Sequence, residues 1–167
     1  GTRVSVTPGS ILGYNVFVID KGELIIDQNV NLDDINDAYN NVDFTSSKVI
    51  INPGVIMSAV DDNRIAVAQK NTVNGLVSDV VLDNSGGIIN LSGKNSIGLL
   101  GDFAQINNSG EINLSSENGT AILGANGSEI TNTGIININD KGVGIYGINN
   151  LGNTIPNYGD KTISIIN

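Results

Sequence analysis

From Asn84 to the end of the chain, apolar residues fall into short clusters separated by Gly, Asn and Ser, and the clusters recur. The pattern N-S-G-G-I-I-N-L…S-I-G-L-L-G…Q-I starts at Asn84, N-S-G-E-I-N-L…T-A-I-L-G…E-I at Asn108, and N-T-G-I-I-N-I…V-G-I-Y-G…T-I at Asn132. A fourth start, N-Y-G, falls at Asn157, so the spacings are 24, 24 and 25. Self-similarity at a fixed period means that one unit cannot bury its own apolar face and must stack on its neighbours. Within a unit, Ile112-Asn113-Leu114, Ala121-Ile122-Leu123 and Glu129-Ile130 alternate or are β-branched, as strands do. No cluster has the ten or so periodic residues a crossover helix needs, which disfavours leucine-rich, ankyrin and tetratricopeptide repeats. The expected fold is therefore all-β, a parallel β-helix with three strands per coil of about 24 residues.

Laying the units over one another predicts four aliphatic columns: Ile89-Ile112-Ile136, Leu91-Leu114-Ile138, Leu99-Ile122-Ile145 and Ile106-Ile130-Ile155. Equivalent side chains of successive coils would stack roughly 4.8 Å apart and fill a narrow core. Gly98, Ala121 and Gly144 share a column from which bulk is excluded. Asn84, Asn108, Asn132 and Asn157 head the units. Asn tolerates the left-handed backbone of a sharp turn, and stacked amides can hydrogen-bond from coil to coil. A sugar-binding amide row is the functional alternative for the same four residues.

Residues 1–48 do not follow the repeat. Tyr14 to Ile19 and Leu24 to Ile26 are β-rich, with Asp20-Lys21-Gly22-Glu23 as a hairpin turn or a corner between them. Asn31-Leu32-Asp33-Asp34 reads as a helix start, an Asn cap followed by acids, with Leu32, Ile35 and Tyr39 on one face. Because an open solenoid end exposes strand edges and core, this segment is expected to be an N-terminal cap containing a short helix, followed by coils over 49–167. Val49 to Asn84 is a degenerate first coil, with Asn52-Pro53-Gly54 matched to Asn84-Ser85-Gly86 and about eight residues in excess. Thr72-Val73-Asn74-Gly75-Leu76-Val77 carries an Asn-Gly hairpin signal, so the excess is expected to protrude there.

Composition narrows the chemistry. Neither Cys nor His occurs in the 167 residues, which removes disulfides, thiolate nucleophiles and His-based triads. A net charge of -9 with only eight Lys and Arg argues against nucleic acid and anionic membranes. No apolar run reaches the roughly 18 residues of a membrane span, so no membrane insertion is expected. The chain starts abruptly at Gly1 and stops within the strand-like Ile165-Ile166-Asn167, which suggests a piece of something longer.

A glycan-cleaving β-helix would need paired carboxylates roughly 5 to 9 Å apart. The alignment shows no acid column: Glu111 falls with Gly87 and Ile135, Glu129 with Gln105 and Thr154, Asp102 with Ala125 and Ile148. Lys94 and Glu117 share a column, as charge balance along a solvated turn. Asp61-Asp62-Asn63-Arg64 could hold calcium or polarise a sugar, or simply form a surface turn, although neither the calcium-loop spacing nor the calcium nonapeptide is present. No metal or cofactor is expected. Sequons at Asn90, Asn107, Asn113, Asn118 and Asn126 follow from an Asn- and Ser-rich repeat. Leu100, Leu123 and Tyr146 each follow an inward residue, so alternation points them outward, unless the chain turns there and tucks them into a corner.

The units N-S-G-E-I-N-L, T-A-I-L-G and N-T-G-I-I-N-I…G-V-G-I-Y-G resemble, over about residues 49–167, the fusobacterial-type repeats in passenger domains of large type V autotransporter adhesins. The resemblance implies a right-handed parallel β-helix at the cell surface, secreted through the outer membrane. It also implies attachment to a host-cell glycan or receptor, or to other bacteria. The expected function is therefore a non-enzymatic adhesin passenger fragment, acting as a monomer. Its binding surface is placed at Ser58 to Arg64 and Gln69 to Asp79, with Asp61, Asp62, Arg64, Lys70, Asn71 and Asn74 as contacts, joined by Leu100, Leu123 and Tyr146. The alternatives are a spacer that projects a distal tip and, third, a glycan-degrading enzyme.

Overall fold

The computed structural model describes residues 3–6, 22–34, 48–71, 75–139, 141–149 and 162–167. Its strands are β1 (Arg3–Val6), β2 (Glu23–Ile26), β3 (Val30–Asn31), β4 (Lys48–Ile51), β5 (Ile56–Ala59), β6 (Ile65–Lys70), β7 (Val81–Asn84) and β8 (Ile88–Leu91). They continue with β9 (Ile97–Asp102), β10 (Gln105–Asn108), β11 (Glu111–Leu114), β12 (Thr120–Ala125), β13 (Glu129–Asn132), β14 (Ile135–Ile138), β15 (Val143–Ile148) and β16 (Ser164–Ile166). Every third strand from β4 to β16 joins the same sheet. The first sheet runs β1-β2-β4-β7-β10-β13-β16, the second β14-β11-β8-β5-β3, and the third β15-β12-β9-β6. All pairings among the described strands are parallel, so the fold is a parallel β-helix with three strands per coil.

The predicted columns are the core. Ile89, Ile112 and Ile136 are in register and continue through Met57 to Val30. Leu91, Leu114 and Ile138 stand on Ala59, and Leu99, Ile122 and Ile145 on Val67. The fourth column runs Leu24, Val49, Leu82, Ile106, Ile130 and ends on Ile165. Ile155, expected in that place, lies outside the described residues. Ile89, Leu99, Ile106, Ile112 and Ile122 are fully buried, each contributing about 1.5–3 kcal/mol of apolar burial. The small column is equally constrained, because a Cβ on Gly98 would sit 2.5 Å from the Ala121 carbonyl oxygen.

At the N-terminal side the structure departs from a separate cap. β1, β2 and β3 already belong to the stacked sheets, because the β-rich run around Leu24-Ile25-Ile26 has the same apolar column to cover as later coils do. The helix start is a three-residue 3₁₀ turn, Leu32–Asp34, in which Asn31 Oδ1 accepts the Asp33 N–H at 3.2 Å and Leu32 enters the core. Ile35, Tyr39 and the run Tyr14 to Ile19 lie outside the described residues.

The degenerate coil also slips by one position. β4 pairs with Ile51 against Asn84, so Asn52 stands under Ser85 and the amide column begins on an isoleucine. The cause is turn length: four residues link β4 to β5, three link β7 to β8, and two link β10 to β11. For the same reason Glu111 pairs with Ile88 and not with Gly87.

Candidate binding surface

The Asn row is real, but it belongs to the interior. Asn84 Nδ2 donates to Asn108 Oδ1 at 2.7 Å, Asn108 Nδ2 to Asn132 Oδ1 at 2.7 Å, and Asn132 Nδ2 to Asn167 Oδ1 at 2.6 Å. Asn84 Oδ1 also accepts the Gly87 N–H at 2.9 Å, which fixes the direction of the amide. Asn167 thus occupies the rung expected for Asn157, which lies outside the described residues. Asn84, Asn108 and Asn132 are buried, so no sugar can reach them. They do not adopt the left-handed backbone either; Asn63, Asn95, Asn118 and Asn126 do, at φ of 60, 56, 57 and 53 degrees. The strand-end Asn serves the ladder, and the corner Asn serves the turn.

The Asp61-Asp62-Asn63-Arg64 cluster is a clasp between coils. Asp33 accepts the N–H groups of Val60 at 2.7 Å and Asp61 at 3.1 Å, while Arg64 Nε reaches Asp33 Oδ1 at 3.3 Å. The other end of the guanidinium contacts Asp61 Oδ2 at 3.1 Å. Asp62 Oδ1 accepts the Lys94 N–H of the next coil at 2.7 Å. Burial pushes the Asp33 carboxyl up, but the hydrogen bonds from Val60, Asp61 and Arg64 and the Arg64 charge outweigh it, leaving Asp33 below its ordinary 3.8. Burial lowers Arg64, and its two carboxylate partners more than compensate, so its pKa is raised. With a guanidinium bridging the two carboxylates that converge here, the local charge needs no cation to balance it. Among the described residues no group of three or more acidic or metal-ligating side chains assembles.

The second expected patch divides. Lys70 is exposed, whereas Asn71 is 1% exposed and its Nδ2 donates to the Leu76 carbonyl at 3.0 Å. Asn71 therefore anchors the loop from within and is corrected from contact residue to support. The hairpin is corrected as well. Leu76-Val77 does not form a returning strand: Val77–Asp79 is a 3₁₀ turn, held by Asp79 Oδ2 accepting the Leu76 N–H at 2.8 Å. Asp79 out-competes the cross-strand ladder as the local acceptor. Thr72, Val73 and Asn74 lie outside the described residues.

Leu100, Leu123 and Tyr146 resolve in favour of the outward reading. They are in register on the third sheet, between the inward Leu99, Ile122, Ile145 and the Gly101, Gly124, Gly147 column. Leu100 and Leu123 are half-buried and Tyr146 is 47% exposed. Beside them Ile97, Thr120 and Val143 form a second outward column, with Val143 exposed. Two neighbouring rows of one sheet face thus present aliphatic and aromatic surface.

Several residues that shape the surface went unread in the sequence. Asn90, Asn113 and Asn137 form an outer amide row on the second sheet, Asn113 donating to Asn90 and Asn137 to Asn113, each at 2.8 Å. The recurring Asn of I-I-N-L, E-I-N-L and I-I-N-I was the available signal. Acids do not stack on acids: Asp83 pairs with Ile50 and Asn107, Glu111 with Ile88 and Ile135, Glu129 with Gln105 and Ser164, and Asp102 with Lys70 and Ala125. The expected charge balance is present, with Lys94 Nζ 3.2 Å from Glu117 Oε2. No helix among the described residues is long and apolar enough to cross a membrane.

Comparison with known proteins adds one relation. The family model described as the BigA third pectate lyase-like domain matches residues 4–165. No curated protein and no solved structure matches the chain.

Proposed function

Because the chain belongs to the BigA third pectate lyase-like domain family, we propose that it is an adhesin-type passenger segment displayed at a bacterial surface, attaching there as a non-catalytic monomer. Delivery through the outer membrane as an autotransporter passenger, and attachment to a host-cell glycan, a receptor or other bacteria, are the finer parts of this reading. The observation that carries it is the outward column Leu100, Leu123 and Tyr146 beside Val143 on a rigid sheet. Exposed apolar rows of this kind are where partner contact concentrates. Lys70, at the edge of the same sheet face, supplies a charge; Asp61 and Arg64 are already engaged with one another.

A catalytic role is disfavoured by the same columns. Glycan cleavage needs two carboxylates set across a bond, and no acid in the described strands stacks on another. A spacer that projects a distal tip is the second reading, favoured by the evenness of the coils from β7 to β15, whose outer faces are otherwise polar amides and Ser.

A cell-binding and glycan screen separates these readings. The chain is compared with Tyr146→Ser and Leu123→Ser, with melting measured in parallel. Adhesion is expected to weaken at least about tenfold, the factor for 1.4 kcal/mol at a contact residue, with melting of Tyr146→Ser unchanged. Binding by both variants at the level of the parent would remove the surface from consideration. A parent chain that binds nothing, where a longer passenger does, would establish the spacer.

A further inference from the structure

The C-terminal end of the coil stack is unfinished in a specific way. Ile89 and Ile112 are fully buried, but Ile136, in the same column, is half-exposed, and so is Ile138 above the buried Leu91 and Leu114. Ile145 repeats this above Leu99 and Ile122, and Ile165 is 47% exposed above a fully buried Ile106. These residues border an open cavity of about 540 Å³ that also reaches Asn132 and Asn167. The outer edges of β14 and β15 have no neighbouring strand among the described residues.

We propose that this end is a coil-accepting surface whose occupant is one more three-strand coil of the same pattern, joined in line through β16. The argument is continuity with an interface already present. The face that β13, β14 and β15 expose repeats, rung for rung, the face that β10, β11 and β12 offer to them: Asn132 for Asn108, Ile136 for Ile112, Ile138 for Leu114, Gly144 for Ala121, Ile145 for Ile122. Asn167 already stands in the amide row where Asn108 and Asn132 stand one and two coils earlier. The next strand must therefore lie parallel on β14, carrying aliphatics over Ile136 and Ile138. The one after must lie on β15, with a small residue over Gly144. The requirement is chemical: unpaired edge amides and half-covered isoleucines are both satisfied by one occupant only if it has this alternation. It is independent of what the outer sheet face binds.

The test uses the full chain and a version extended after Asn167 by a copy of residues 109–132, which follow Asn108 in the native repeat. Amide hydrogen exchange is read in β14 and β15, with β9 as an internal control for folding. In the extended protein, exchange in β14 and β15 is expected to slow by about a hundredfold, equivalent to roughly 2.7 kcal/mol, and binding of an apolar dye to fall. Ile145→Lys placed in the extended protein should return exchange in β15 to the parent rate while β9 stays protected. An extended protein with parent-like exchange in β14 and β15 and a protected β9 would overturn the proposal. So would sedimentation showing the parent chain to be a dimer with β14 and β15 already protected, since the occupant would then be a second copy.

Discussion

Replacing Asn108 by Ala tests the central physical statement about this fold, that the interior amide row is a structural element and the exterior one is not. Asn108 accepts from Asn84 and donates to Asn132, both at 2.7 Å, in a fully buried column. Truncation leaves one Asn84 amide hydrogen and the Asn132 carbonyl oxygen without partners where water does not reach. At about 1–3 kcal/mol for each buried unsatisfied group, the loss is about 2–5 kcal/mol. Asn113 has the same number of amide partners, at 2.8 Å each, but on the outer face of the second sheet. There water replaces the lost bonds, and Asn113→Ala should cost less than about 1 kcal/mol. Guanidinium titration followed by far-UV circular dichroism reads both; in thermal melts the inner variant should fall by roughly 5–15 °C. Asn108→Asp adds a directional check: a carboxylate facing the Asn132 oxygen repels it, and protonation restores a donor, so this variant should gain stability relative to the parent as pH falls from 7 toward 4. Equal losses for Asn108→Ala and Asn113→Ala would refute the reasoning.

Other perturbations follow from the same geometry. Asp33→Ala should destabilise by about 1–3 kcal/mol through the Val60 and Asp61 N–H groups it leaves unbonded, and Asp33→Asn by less, in the same denaturant titration. Because the folded Asp33 titrates below its ordinary 3.8, its contribution is present above that value and lost as pH falls through the lower folded value; stability curves of parent and Asp33→Ala should converge below about pH 3. Gly110→Ala would drive its Cβ into the Gly87 carbonyl of the preceding coil, so the soluble folded yield or the melting temperature should drop sharply. Lys94→Ala, which removes an exposed ion pair to Glu117, should change stability by no more than about 0.5 kcal/mol.

The core was legible because its chemistry repeats. Ile89, Ile112 and Ile136 announce one another across the period, and stacking them needs only that strands pair in parallel. What the period could not carry was the length of each turn. Four residues after β4 and two after β10 shift the sheets against one another by single positions, which moved Asn52 off the amide column. Nor does a period report burial of a polar side chain. Asn71 and Lys70 are adjacent, yet one supports a loop from inside and the other faces water, decided by where the Leu76 carbonyl lies. Arg64 looked available because its partners, Asp33 and Asp61, come from two different coils.

Short links join the third sheet to the first in the middle coils, residues 103–104 and 126–128, while residues 71–80 and 149–163 make the same crossing in the coils on either side. Both long crossings leave from one ridge of the solenoid. Their departure points, β6 and β15, are three coils apart, or roughly 14 Å along the axis at 4.8 Å per coil. The ridge can thus carry two appendages at a fixed separation, and lengthening or trimming either one leaves the rungs beneath it undisturbed, so recognition can diversify on a scaffold that does not have to change.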